Sequence, residues 1–120
     1  MEYDELTGIY TIPVSELSSF LESSTETNVT LNIVEITVEN FALIKTALQD
    51  TDIKTDLSPT VLPSSLTSLV YGFEKCRKLT RAPVIPETVT DLGGCFYNCS
   101  SLIEAPILPS ALESLGETFR

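Results

Sequence analysis

Two hydrophobic periods alternate through the first half of this chain. In VSELSSFLESS, Leu17, Phe20 and Leu21 recur at helical spacing, which predicts a helix of about ten residues. NVTLNIVEITV is rich in β-branched residues, with Val29, Leu31 and Ile33 alternating against polar neighbours, and predicts a strand. VENFALIKTALQD returns to helical spacing through Phe41, Leu43, Ile44, Ala47 and Leu48. DIKTDLS then predicts a short strand that leads into the second half.

The second half repeats itself. Pro63, Pro86 and Pro109 lie 23 apart (86 − 63 and 109 − 86), as do Phe73, Phe96 and Phe119. Leu69, Leu92 and Leu115 keep the same interval, and so do Leu66, Val89 and Leu112. Cys76 matches Cys99, Leu79 matches Leu102, and Ala82-Pro83 matches Ala105-Pro106. A period of this size falls in the leucine-rich-repeat range, where each unit is too short to bury its own apolar face and must stack on its neighbours. Proline lacks an amide hydrogen and suits turns and edges, so its recurrence at one phase marks a corner of each unit.

These patterns predict an α/β chain built as a short leucine-rich-repeat solenoid behind a helix–strand–helix N-terminal cap. Residues 1–55 would form the cap and residues 56–120 about three repeats, the last incomplete, in one continuous structural domain. The last unit stops at Phe119-Arg120, before its cysteine-containing portion. The expectation is that the array continues in a longer protein, or that its uncapped end self-associates.

Charge narrows the partners. The net charge is −10, and eleven acids face only Lys45 and Lys54 up to Asp56. An acidic chain of this kind is a poor ligand for nucleic acid or anionic membrane. No apolar run is long enough to span a bilayer, so membrane insertion is not expected. Histidine is absent, which removes the commonest general base and metal ligand. The chain has many serines but no nucleophile elbow and no paired acid and base, so no catalytic residue and no cofactor is assigned.

LPSSLTSLVYGFEKCRKL and VIPETVTDLGGCFYNCSSL resemble the unit of the BspA-like, or Treponema-type, leucine-rich repeat, LTSITIPxSVTSIGxxAFxxCxSL. The likeness covers the second half of the chain, from about Asp56 to Arg120. ELSSFL, VTLNIV, IKTALQD and KTDLS are similar to the segments that precede the repeats in that family. The resemblance implies a bacterial or protist surface or secreted protein, with adhesion or partner binding as its role and no catalytic residues.

Three cysteines cannot all pair within one chain. Cys95 and Cys99 stand four apart, a spacing that fits zinc poorly without histidine, so no metal ligand is assigned. Cys76 and Cys99 share a repeat phase and read as stacked, buried thiols. Cys95 aligns with Gly72 and Thr118, a phase of small or polar residues that predicts a turn near the surface and a modifiable thiol. The basic cluster Lys75, Arg77, Lys78 and Arg81 is the one local departure from the acidic background. It either balances the acidic half or docks an acidic protein or sulfated glycan, with Tyr97 in the neighbouring unit as an aromatic anchor. Asn28 and Asn98 each begin an Asn-x-Ser/Thr triplet, and Asn98 reads as a turn residue. The function expected is therefore non-catalytic binding or adhesion, through side chains at equivalent phases of successive repeats. The alternative is a structural cap and spacer, with recognition further along a longer chain.

Overall fold

In the computed structural model, which describes residues 1–110 and residue 112, seven short elements follow one another. Strand β1 (Glu2–Asp4) turns back into β2 (Ile9–Pro13), and helix α1 (Val14–Ser23) leads to β3 (Asn28–Val34). Helix α2 (Phe41–Asp50) then leads to β4 (Lys54–Asp56), and β5 (Leu79–Arg81) lies far along the chain. The five strands form one sheet in the order β1-β2-β3-β4-β5. The first pair is antiparallel and the other three are parallel.

The local reasons are plain. Pro13 ends β2 and stands at the N-cap of α1, where its missing amide hydrogen costs nothing. Val14, Leu17 and Leu21 form the buried stripe of α1, and Phe41, Ile44, Ala47 and Leu48 that of α2. Leu43, expected on that face, lies on the outer side and is exposed. β3 alternates as the pattern predicts, with Val29, Leu31 and Ile33 buried beneath the helices. β2-α1-β3 and β3-α2-β4 are successive parallel crossovers, and their helices pack against each other.

The expected architecture is corrected. The molecule is a compact α/β fold with a five-stranded mixed sheet and two helices, not a leucine-rich-repeat solenoid behind a helix–strand–helix cap. The β1–β2 hairpin, which short polar-flanked strands concealed in the sequence, precedes α1 and puts a strand on either side of each helix. Front half and repeat region then share one sheet through the pairing of β4 with β5. Among the described residues the repeats contribute a single three-residue strand, β5, and two isolated parallel bridges, Val61 with Val84 and Ser68 with Asp91. The radius of gyration, 13.5 Å, is that of a globular chain of this length, about 14 Å.

The 23-residue period has a different structural meaning. Each unit winds through a run of tight turns. Leu66 N–H donates to Pro63 O and Val89 N–H to Pro86 O, both at 3.1 Å, so each proline opens a turn. Further turns follow at Leu69–Gly72 and Phe73–Cys76, and again at Leu92–Cys95 and Phe96–Cys99. The units are joined by main-chain bonds from Leu69, Tyr71, Phe73 and Lys75 to the carbonyls of Asp91, Gly93, Cys95 and Tyr97, at 2.7–3.0 Å. Positive φ recurs at matching phases, at Tyr71 and Gly94 and again at Lys75 and Asn98. At Gly94 a side chain is barred twice, because φ is +63° and a Cβ would meet the Tyr71 ring.

One core runs through both halves. Ile12, Leu17, Leu31, Ile44 and Leu48 from the front join Leu57, Phe73, Leu79, Val89, Leu92 and Phe96 from the repeats, all nearly inaccessible. Phe41 of α2 meets Phe73 edge to face at 5.4 Å, and Phe73 stacks on Phe96 at 5.7 Å. Lys45 pairs with Glu74 at 3.5 Å and Gln49 donates to Glu74 O at 2.6 Å, which fixes α2 to the first repeat turn. The third-unit positions Leu115, Thr118, Phe119 and Arg120, with the expected self-associating end, lie outside the described residues.

Two buried threonines mark the join. β4 pairs with β3 only at Asn28–Thr30, and Ser58-Pro59 then turns the chain away. Thr60 takes over where the ladder stops: Ile33 N–H donates to its Oγ1 at 2.9 Å, and the same hydroxyl donates to Leu31 O at 2.8 Å. Thr55, within β4, has no partner for its hydroxyl among the described residues, although it is fully buried. Thr60→Val strands a buried N–H and a buried carbonyl and should destabilise the fold by about 2–4 kcal/mol. Thr55→Val removes an unpartnered hydroxyl in an equally tight site and should be neutral or stabilising by about 1 kcal/mol. Urea unfolding of the two variants reads the difference, and equal losses would count against both assignments.

Candidate functional site

Side chains alternate across an extended segment, so a buried residue turns its neighbour outward. Leu62 and Ile85 are buried, and Val61 and Val84 beside them are 66% and 53% exposed. The two valines face each other across a parallel bridge, held by Val84 N–H donating to Thr60 O at 3.0 Å. Ile107, one period on (107 − 84 = 23), is 91% exposed. Three β-branched side chains at one repeat phase thus stand in water on one face.

Grooves flank this stripe and share Val84 as the ridge between them. The larger, about 630 Å³, lies between the end of β3 with the loop after it (Asn32 to Ile36) and Val61, Leu62, Pro63, Val84 and Pro86. The smaller, about 380 Å³, is lined by Ala82, Pro83, Val84 and Ile85 on one side and Ala105, Pro106 and Ile107 on the other, with Glu87 and Glu104 at its edge. Among the described residues neither groove has a lysine or arginine in its lining.

The rim of the larger groove is held firmly. Glu35 has a φ of +59°, uncommon for a residue with a side chain. Asn40 secures it: its Nδ2 donates to Glu35 O at 2.9 Å, its Oδ1 accepts from Thr37 N–H at 2.8 Å, and its own N–H donates to Thr37 Oγ1 at 3.0 Å.

The stripe escaped the sequence reading, although its signal was there. Val61, Val84 and Ile107 stand two residues before Pro63, Pro86 and Pro109, and the first two precede the core residues Leu62 and Ile85. They read as further members of a buried ladder until alternation is applied to them.

The basic cluster divides. Lys75 and Arg77 are exposed and Lys78 is half-buried, and among the described residues none of the three has an ion-pair partner. Lys75 N–H donates to Tyr97 O at 2.7 Å, so Lys75 and half-buried Tyr97 stand on adjoining turns. Arg81, at the far end of β5, is taken up within the molecule, with Nη1 3.3 Å from Asp56 Oδ2 and Nε 3.6 Å from Glu104 Oε1. It ties β4, β5 and the third unit together, an ion-pair bridge worth little in net energy but fixing geometry.

The reading of Cys95 as a near-surface thiol is corrected. Its side chain has no exposure, because Gly94 with its left-handed backbone turns the next residue inward beneath Phe73. Burial pushes the Cys95 thiol up to about 12, against the opposing pull of the Phe73 backbone. Cys99 is raised to about 11 by burial, and its Sγ donates to Phe73 O at 2.9 Å. Cys76 is shifted upward by burial and by the nearby Cys99. All three are free thiols. Among the described residues no group of three or more Cys, Asp or Glu side chains has metal-holding geometry, and no helix is long and apolar enough to cross a membrane.

A thiol that keeps its proton longer in the folded chain than in the unfolded one weakens folding as pH rises past its unfolded value. Stability should hold below the ordinary thiol value near 9 and fall from there toward about 12, the folded value of Cys95. Cys95→Ala should flatten that fall by up to about 1.4 kcal/mol per pH unit. Urea unfolding in steps from about pH 8 to 10.5 measures the slope, and an unchanged slope would contradict a buried, protonated Cys95. No family model matches the chain, and no curated protein and no solved structure matches it significantly.

Proposed function

We propose that this chain is a non-catalytic binding module that engages a partner protein through the stripe of Val61, Val84 and Ile107 and the grooves beside it. The observation that carries the proposal is the exposure of three β-branched residues at one repeat phase, next to concave apolar surface. Exposed apolar side chains scattered singly mean little, but a contiguous stripe rimmed by polar groups is the usual form of a protein-interaction surface. Affinity would come from seating partner side chains in the two grooves on either side of Val84. The resemblance of the repeats to the BspA-like family, with adhesion or partner binding at a cell surface as its usual role, supports the same reading.

A photo-crosslinking residue placed at position 84 tests it. Exposed Leu43, on the outer side of α2, serves as the control position. Partner protein should crosslink from position 84 and not from position 43. Excess unlabelled chain should compete, and excess Val61→Ser/Val84→Ser chain should compete at least tenfold less well, the loss expected for a central apolar anchor of about 1.4 kcal/mol or more. Equal crosslinking from both positions, or equal competition by the variant, would rule the stripe out as the binding surface.

A further inference from the structure

The grooves also carry information about what fits them. We infer that their occupant is a peptide segment of the partner protein in which apolar residues are interspersed with lysine or arginine, docked by its side chains and not by strand addition. This rests on the reading of the stripe as the binding surface.

Charge is the first ground. Glu35 stands on the rim of the larger groove, and Glu87 and Glu104 on the edge of the smaller, while among the described residues no cation lines either. Of these three glutamates Arg81 reaches Glu104 and not the others, and among the described residues Glu35 and Glu87 have no ion-pair partner. Glu87 instead accepts from Ser110 N–H at 3.4 Å and Ser110 Oγ at 2.9 Å, which holds its carboxylate at the groove edge. Glu35 is fixed through its backbone by Asn40. One carboxylate is thus held at a groove edge and a second stands exposed on a rim of fixed backbone, on a chain of net charge −10, a potential that favours a cationic partner and disfavours an anionic one.

Proline is the second ground. Pro63, Pro83, Pro86 and Pro106 all line the grooves. None has an amide hydrogen, so a main-chain ladder along these walls is interrupted at four lining positions, which disfavours strand addition. Recognition is left to side chains: apolar ones against Val61, Val84 and Ile107, and cationic ones against Glu35 and Glu87.

Selection from a random peptide display library on the intact chain tests this, followed by anisotropy measurements on the enriched peptides. The expected result is enrichment of lysine or arginine together with apolar residues. Binding should be lost in Val61→Ser/Val84→Ser and weakened about two- to fivefold by each of Glu35→Gln and Glu87→Gln, with thermal melting confirming that each variant is folded. Neutral or acidic peptides that depend on Val61 and Val84 would overturn the cationic assignment and leave the binding surface standing. Enriched peptides indifferent to Val61→Ser/Val84→Ser, or no enrichment at all, would overturn both.

Discussion

The hydroxyl of Thr60 holds together two parts of the molecule with different local rules. Up to Asp56 the chain obeys the logic of parallel sheets, with strands joined by helical crossovers. Beyond it the chain runs in tight turns and single bridges. β3 extends further than β4 can follow, and Pro59 cannot supply an amide to continue the ladder. A buried strand edge left bare there would strand polar groups in the core. Thr60 answers both groups of that edge with one side chain, as acceptor for Ile33 and donor to Leu31, and passes its own carbonyl to Val84. The position of the exposed stripe follows, since Val61 is the next residue and faces outward because Thr60 faces inward.

Electrostatics play a smaller part in the fold than the composition suggests. Seventeen acids are set against seven cations, yet among the described residues the ion pairs that bind elements together are few: Lys45 with Glu74, and Arg81 with Asp56 and Glu104. Each joins segments far apart in sequence. The remaining acids among the described residues lie largely on the surface, where they shape the field around the stripe and not the packing beneath it.

Much of the molecule was legible from the sequence, element by element. Both helices, β3 and β4 stand close to where periodicity puts them, and Leu69, Leu92, Phe73, Phe96, Cys76 and Cys99 are buried as their shared phases imply. The architecture was not legible. β1 is three residues long and wholly exposed, so it lacks the alternation by which strands are found. Without the β1–β2 hairpin, the front half reads as a cap, where it is in fact the larger part of the sheet. At the site, phase alone could not tell inward from outward. Val61 and Leu62 are both apolar and both recur, and only the alternation imposed by the Thr60 anchor separates them. Cys95 was missed for a related reason, because glycine at position 94 signals a turn but not which way the next side chain points.

Asn40 has a consequence that lies in entropy. Loops beside binding grooves are commonly mobile, and ordering them weakens association by about 0.5–1.5 kcal/mol for each long side chain brought to rest. Here the rim from Glu35 to Asn40 is already closed by three hydrogen bonds, and its one strained residue is held in place before anything arrives. If the groove binds as proposed, the backbone of this rim adds no ordering cost, which then falls on the exposed side chains and on the partner. A flexible segment and a rigid one with identical contacts would differ in affinity by the whole of that term.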